Sequence, residues 1–505
     1  MPGRDGGGAG EDTGPAARGA GGCDGEGALR RTLTSRDLIV YGLLFIAPMA
    51  PVGIFGTLQA TSHGAVTAVY VVATAAMGFT AYSYAQMVRV TPLAGSVYAY
   101  ARAGLNESAG FLAGWMALLD YLLVPAVAYL FSGIALHALV PSVHAWVWTA
   151  LAVAVTTLLN LWGVRTAARV GFAVLAMEIV VLGVFVVAAV VELLAHGARR
   201  GWAEPLTGAG GFAAGAVLSA VSVAVLSYLG FDAIASFAEE AAGRSAGGAT
   251  GESGDTGEGS RGHGGPERVA RAVLTCLVVA GVLFAVQTYL AALLMPMSAA
   301  ELAARPAEQG NAFYATVDAT LGRPLHNLVA ASKAIGAAFA ALAGQAAAGR
   351  LLFAMARDRR MPAAMAKVAA GSGVPRRALL GAALVTLVAA VGAARRDDGL
   401  ALLSSIVSVG ALTAFGLLHA SVIGWFRFRS RERAGLPGVL RHVVAPSLGL
   451  AVVAAVLVKA SGTAQIVGGC WLVVGAVVLA VQHHRGGRGR VGNGAGRAGN
   501  GAGRG

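Results

Sequence analysis

Runs of about twenty apolar residues recur along this 505-residue chain and constrain its fold more than any other feature. A helix of that length rises about 30 Å, which is the thickness of the hydrocarbon core of a bilayer. The chain is 56% hydrophobic and 12% charged, whereas soluble domains carry about 25% charged residues. The sequence therefore predicts an all-α polytopic membrane protein rather than a soluble one.

The apolar runs predict twelve transmembrane helices, with Gly- and Arg-rich disordered tails at residues 1–32 and 485–505 and a membrane domain between them, residues 33–484. The twelve runs cover residues 38–61, 66–87, 110–140, 147–164, 171–194, 213–239, 270–294, 325–352, 378–394, 400–426, 443–459 and 466–481. A polar Gly/Ser/Thr-rich stretch at 243–266 predicts a flexible loop.

The net charge of +13 lies mainly in the tails and in short segments between apolar runs. Arg and Lys are concentrated in alternate segments, which is the positive-inside pattern and places both termini in the cytoplasm. We therefore assign the positive charge to membrane topology and expect no nucleic-acid partner.

The first apolar run is interrupted near residue 50. Pro48 and Pro51 cannot continue a helical hydrogen-bond ladder, and Gly53 removes a side chain where another group could approach. We expect an inner half-helix to end near Ala47 and an outer half-helix to begin near Gly53, where free N–H groups suit a carboxylate. The predicted substrate-binding residues here are Ala50, Pro51, Val52, Gly53 and Ile54. A simple proline kink is the alternative.

The sixth run is also interrupted, at Tyr228, Leu229, Gly230, Phe231 and Asp232. Broken helix at membrane depth is tolerated only where protein or a cavity surrounds it, and two such breaks in corresponding halves point to the substrate site of a secondary transporter. A carboxylate inside the membrane is costly and by default functional. Asp232 is therefore predicted to bind an amine or carry a proton, with helix capping as the alternative, and the other four to contact substrate.

Other ionisable residues lie within apolar runs. Asp120 in the third run is a candidate to attract an ammonium group, and the neighbouring Tyr121 is a candidate contact; a bond from Asp120 to another helix is the alternative. Lys333 lies about 25 Å from Arg350 along its helix. That spacing predicts a position near the outer interface, where the lysine would reach toward water.

The three cysteines are far apart, and the histidines show no metal-ligand spacing. Nothing resembles a nucleophile–base pair or a phosphate-binding loop. We therefore expect no metal, no cofactor and no enzymatic activity.

The order of several motifs resembles the amino acid–polyamine–organocation family of permeases, from about Leu33 to His483. The first break contains Gly53-Ile54-Phe55, and the sixth run contains Gly230-Phe231-Asp232. Between them, residues 92–100 read Pro-Leu-Ala-Gly-Ser-Val-Tyr-Ala-Tyr and residues 110–115 read Gly-Phe-Leu-Ala-Gly-Trp. Residues 350–358, Arg-Leu-Leu-Phe-Ala-Met-Ala-Arg-Asp, resemble the end of the family's eighth helix.

The resemblance implies a LeuT-type fold with discontinuous helices 1 and 6. Two inverted five-helix repeats, at about 36–196 and 212–426, would be followed by two helices at about 439–482. It also implies transport of amino acids or related amines across the cytoplasmic membrane by alternating access, coupled to protons or to a counter-substrate. Glu178 lies in the fifth helix, which in such folds faces the first and eighth, and is a candidate for proton coupling.

Pro51 departs from the family pattern, which has a glycine there. Proline has no N–H, so one donor is missing from the predicted carboxylate site. A polyamine has no carboxylate, and the segment around Asp120 and Tyr121 is similar to that of putrescine-importer-like members. A polyamine importer therefore stays open, as does a ligand-sensing membrane protein that does not transport. The oligomeric state is left open.

Overall fold

The computed structural model describes residues 35–91, 96–162, 167–231, 234, 264–357, 364, 376–430 and 436–494. Every regular element in these ranges is helical, which confirms the all-α prediction. Asp232, the predicted loop up to residue 263 and the N-terminal tail lie outside the described residues, as do residues 92–95 of the motif at 92–100.

The helices are numbered here in chain order. They are α1 Ser35–Ile46, α2 Ala50–Thr61, α3 Val66–Val90, α4 Ser96–Gly104, α5 Glu107–Leu139, α6 Ala145–Trp162, α7 Ala167–His196, α8 Glu204–Thr207, α9 Ala214–Ala224, α10 Gly264–Leu294, α11 Ala299–Ala304, α12 Pro306–Gln309, α13 Ala312–Leu321, α14 Arg323–Arg357, α15 Arg376–Ala394, α16 Gly399–Gly424, α17 Leu436–Val439, α18 Ala445–Lys459 and α19 Gly462–Gly494.

Within the described residues, nine helices are long and apolar enough to cross a membrane. Helices α1 and α2 form a tenth candidate span, bent by 47° at the break between them. Two shorter apolar helices cover Ala145–Leu161 and Ala214–Tyr228. The chain is therefore a multi-pass membrane protein, as the apolar runs predict.

Two boundaries differ from the sequence predictions. Helix α10 begins at Gly264, inside the predicted loop at 243–266, and helix α19 continues to Gly494, beyond the predicted start of the C-terminal tail at residue 485. Both extensions prolong long apolar helices into polar sequence. Adding a residue to an existing helix is far easier than nucleating a new one, so composition alone sets the end too early.

A buried polar network joins α5, α6 and α14. The Gln345 side-chain oxygen accepts hydrogen bonds from Tyr129 at 3.3 Å and from Asn160 at 3.0 Å. The Gln345 amide nitrogen donates to Thr157 at 3.0 Å, and Thr156 donates to the Tyr129 hydroxyl at 2.6 Å. Because unpaired polar groups are costly in an apolar environment, the network holds these three helices in one relative arrangement.

Candidate functional site

The break in the first span lies at Ala47, Pro48 and Met49. Helix α1 ends at Ile46, and Ala47 has the left-handed φ of 59° that turns the chain out of the helix. Helix α2 begins at Ala50, three residues before the predicted start near Gly53. Proline is well tolerated in the first turn of a helix, so Pro51 lies inside α2 and does not delay its start.

All five predicted residues of this segment, Ala50 to Ile54, are buried in the first turns of α2. The N–H of Ala50 donates to Ala47 at 2.9 Å, and the N–H of Val52 donates to Met49 at 3.2 Å. These are the positions where N–H groups lack partners in a regular helix. Pro51 removes one donor from this turn, as the sequence indicates.

The break in the sixth span begins where α9 ends. A single 3₁₀ turn, Val225–Tyr228, follows α9, then Leu229 is extended and Gly230 has a φ of 111°. Only glycine adopts that φ without strain. The chain is therefore unwound at the predicted residues Leu229 and Gly230.

The two breaks are in contact. A Cβ atom placed on Gly230 would lie 3.0 Å from the backbone carbonyl of Phe45, one residue before the end of α1. A side chain at position 230 would press on this backbone and require it to shift, so close approach as well as φ favours glycine. The structure thus brings together the two interrupted segments that are 175 or more residues apart in sequence.

The aromatic residues of the sixth span face neighbouring helices. The Tyr228 hydroxyl lies 2.7 Å from the Thr74 hydroxyl and donates to the Tyr70 carbonyl at 3.2 Å, both on α3. The Phe231 ring packs edge-on against Tyr84 at 5.6 Å and lies 5.9 Å from Phe415. In this structure both predicted contact residues are part of buried aromatic packing.

The carbonyl groups released at the first break have partners. The Gln287 side chain of α10 donates to the Pro48 carbonyl at 2.9 Å. The Lys333 ammonium of α14 donates to the Met49 carbonyl at 3.0 Å. On α7, Glu178 accepts a hydrogen bond from the Met49 backbone amide and interacts electrostatically with Lys333. Two side chains of opposite charge, on two different helices, therefore contact the backbone of Met49, one at its N–H and one at its carbonyl.

Both charged side chains are almost fully buried, with Glu178 and Lys333 each 2% exposed. The prediction that Lys333 reaches the outer interface is wrong. It rests on distance from Arg350, but α14 begins at Arg323, and Lys333 lies ten residues inside it on a face that packs against the break. Charged groups this deep are costly unless they are paired and hydrogen-bonded. Lys333 has the Met49 carbonyl and the opposite charge of Glu178, whereas Oε1 of Glu178 has no hydrogen-bond partner among the described residues.

Asp120 and Tyr121 lie elsewhere along α5. The α5 residue beside the first break is Phe131, whose ring packs against Gly53. Asp120 is eleven residues earlier, which is about 16 Å along the helix axis. The structure therefore does not bring Asp120 and Tyr121 to the first break, and their roles stay predictions.

A cavity of about 240 Å³ lies at the end of the bundle that the Arg and Lys pattern predicts to be external. Its lining includes Thr57 of α2, Gln309 of α12 and the nearby Asn311. Arg396 borders it and donates two hydrogen bonds to Asp398, at 2.9 and 3.0 Å, which lowers the pKa of that carboxyl. Thr57 is seven residues from Ala50, so the cavity lies about 10 Å beyond the first turn of α2.

No group of three or more His, Cys, Asp or Glu side chains suited to a metal ion occurs among the residues that the structure describes.

A family model described as amino acid permease matches residues 38–485. This match covers both broken spans and nearly the whole membrane domain. The chain belongs to the amino acid permease family. The resemblance to amino acid–polyamine–organocation permeases is thereby confirmed.

Three relatives align over most of the permease. The low-affinity putrescine importer PlaP of Escherichia coli is 28% identical over 90% of this chain and 93% of its own length. The branched-chain amino acid permease BcaP of Lactococcus lactis is 26% identical over 90% and 95%. The methylthioribose transporter of Bacillus subtilis is 26% identical over 78% and 81%. The permease is a secondary transporter and not an enzyme.

Proposed function

We propose that this permease moves amino acids or related amines across the cytoplasmic membrane by alternating access, with both termini in the cytoplasm. Proton coupling or exchange would drive it. The observation that carries the proposal is the backbone of Met49 at the start of α2, held by Glu178 and Lys333 and shortly after Phe45, which lies against Gly230 of the sixth span. Helix starts and unwound carbonyl groups are what transporters use to bind small charged solutes.

The proposed architecture is the LeuT-type arrangement with twelve spans. Nine long apolar helices, the bent pair α1 and α2, and the two shorter apolar helices add up to that number. The breaks would then belong to spans 1 and 6, the first spans of the two five-helix repeats.

Substrate would bind with its carboxylate at the first turn of α2 and its amine at the second break. The contacts proposed for it are Ala50, Pro51, Val52, Gly53, Ile54, Tyr228, Leu229, Gly230 and Phe231, with Asp232 as the candidate counter-charge for the amine. Asp120 and Tyr121 remain candidates farther along α5. Lys333 and Glu178 carry opposite charges beside the break, so the pair adds no net charge that would favour a carboxylate-bearing substrate over a dication.

Proton coupling would act through Glu178 and Lys333. Protonating Glu178 or deprotonating Lys333 removes one of the two charged partners of the Met49 backbone. A hydrogen bond to a charged group contributes about 1.5–3 kcal/mol. A change of that size shifts a two-state equilibrium by about 10- to 150-fold, which is the range of typical coupling energies.

A polyamine importer is the second candidate. Pro51 removes an N–H donor from the first turn of α2, and a diamine would not need that donor. The similarity to a putrescine importer over 90% of this chain also supports this second candidate.

Uptake in proteoliposomes tests the proposal. Proteoliposomes that contain the purified permease would be given radiolabelled leucine, arginine or putrescine on the outside. Uptake would be measured under an imposed pH gradient and again after a protonophore has collapsed that gradient. We expect gradient-dependent accumulation of an amino acid. Faster accumulation of putrescine would support the second candidate, and thermal stabilisation by a probe without any flux would indicate a sensor.

A further inference from the structure

Phe131 of α5 contacts both Gly53 of α2 and Lys333 of α14. Its ring occupies the space that a side chain at Gly53 would fill, so Gly53 and Phe131 are in direct contact within the first turn of α2. The Lys333 ammonium lies 4.8 Å from the centre of the same ring. Phe131 is 7% exposed, so this contact is shielded from water.

The contact with Lys333 depends on charge. An ammonium group over an aromatic face is attracted by the negative face of the ring, and the attraction is strongest where water is excluded. A neutral amine has no such attraction. The ring therefore favours the protonated lysine, in addition to the hydrogen bond that the ammonium donates to the Met49 carbonyl.

Few other charged groups face this position. Glu178 of α7 is the titratable group whose charge acts on Lys333 in the described part of the chain. On α5, Asp120 is about 16 Å from Phe131 along the helix. On α13, Asp318 is paired with Arg323 at 2.9 Å. The remaining packed helices, α6 and α15, bring no acidic residue to Lys333.

We propose that Phe131 is a positioning residue that links substrate binding at the first turn of α2 to the protonation of Lys333. This inference rests on the proposed function. A substrate carboxylate at that turn would lie beside Gly53 and so near the Phe131 ring, while the same ring stabilises the ammonium. Substrate and proton then favour each other's binding, because the ring keeps water from the space between two groups of opposite charge.

The pH profile of uptake tests this link, with whichever of labelled leucine, arginine or putrescine the permease takes up. Phe131→Leu retains an apolar side chain but loses the aromatic face, so protonating Lys333 requires a lower pH. We expect the alkaline limb of the profile to move by about one pH unit toward acid, the scale of a desolvated cation–π contact. Phe131→Tyr retains the aromatic face, so its alkaline limb should stay at the wild-type pH.

Two controls separate this role from packing. Phe185 of α7 is 1% exposed and its ring lies 5.1 Å from that of Phe313, so Phe185→Leu loses a buried ring away from Lys333. It should lower thermal stability and leave the limb in place. In a Lys333→Gln background, counterflow exchange of the labelled probe should lack this limb. Adding Phe131→Leu should leave the pH dependence of that exchange unchanged, because the charge attracted by the ring is gone.

This inference alone is overturned if the alkaline limb of Phe131→Leu stays at the wild-type pH. It is also overturned if Phe131→Tyr shifts the limb as far as Phe131→Leu does. If Phe131→Leu does not fold, 3,4,5-trifluorophenylalanine at position 131 retains the ring's shape and weakens its negative face, and an unmoved limb in that variant also overturns it. A flat wild-type profile instead removes the proposed proton coupling and this inference with it.

Discussion

Gly56 of α2 lies directly beneath the backbone carbonyl of Gln309, and a methyl group on its Cα would overlap that oxygen. Gln309 ends the short helix α12, at the end of the molecule predicted to be external. The two residues bring α12 into backbone contact with the half-helix that carries the proposed substrate site. We expect this contact to restrict access from that end to the first turn of α2.

Replacing Gly56 by alanine should hold the external end open. The added methyl group cannot be accommodated by a rotating side chain, because the atom that it meets is backbone, and overpacking of this kind costs about 1–3 kcal/mol. We expect uptake to fall about tenfold or more. Thr57, now 2% exposed, should become accessible.

Accessibility can be measured with Thr57→Cys in a variant whose native cysteines are replaced by serine, using an impermeant maleimide. Labelling should be faster with Gly56→Ala than without it. Gly183→Ala is the matched control, since a Cβ there meets nothing within 4 Å. Equal labelling rates would contradict the closed contact.

Replacing Lys333 by methionine should abolish gradient-driven accumulation. The substitution leaves Glu178 buried without its positive partner, and breaking a buried pair costs about 3–5 kcal/mol of stability. The double variant with Glu178→Gln removes both charges and should recover much of the thermal stability without recovering accumulation. Accumulation by Lys333→Met that still follows the pH gradient would exclude the lysine from coupling.

Replacing Pro51 by glycine should change selectivity. Glycine restores an N–H in the first turn of α2, so carboxylate-bearing probes should gain relative to putrescine, by up to about tenfold for one added hydrogen bond. A stability loss of about 1 kcal/mol is expected from the more flexible unfolded chain. Competition between leucine and putrescine measures the ratio, and an unchanged ratio would refute the role of the missing donor.

Replacing Gln345 by leucine should destabilise the helical scaffold rather than the site. Asn160 and the Tyr129 hydroxyl would each lose a partner, and unsatisfied buried polar groups cost about 1–3 kcal/mol each. Thermal unfolding in detergent should shift to lower temperature, while the pH profile of the remaining uptake stays in place. A moved profile would show that the network takes part in coupling.

Replacing Asp232 by asparagine tests a residue outside the described part of the chain. Its position after Gly230 in a broken span predicts loss of uptake with the protein still folded. Uptake with normal pH dependence in this variant would remove Asp232 from the mechanism.

The sequence predicts the breaks well because proline and glycine act locally. Pro48 marks the end of α1, and Gly230 marks a φ that other residues avoid. The start of α2 is less predictable, since Pro51 is compatible with a helix's first turn. The need for glycine at position 53 could not be predicted. It arises because the Phe131 ring of another helix fills the adjacent space, and no local sequence pattern reveals that contact.

The charged centre could not be located from sequence alone. Distance along a helix gives the depth of Lys333 only if the ends of the helix are known, and it does not give the face on which the lysine lies. Its partner Met49 is nearly three hundred residues earlier. Small residues such as Ala330 and Ala337 share a helix face with Lys333. Such a face indicates packing against another element, and this signal would have corrected the prediction that Lys333 reaches the outer interface.

The contact between Gly230 and Phe45 has a mechanical consequence. Because backbone meets backbone there, no side chain can flex to absorb relative movement of the two segments. A tilt of α1 must displace the unwound part of the sixth span as well. Whatever reorientation exposes the bound solute to the second compartment therefore has to be shared by both crossings, and one residue larger than glycine at that point would uncouple them.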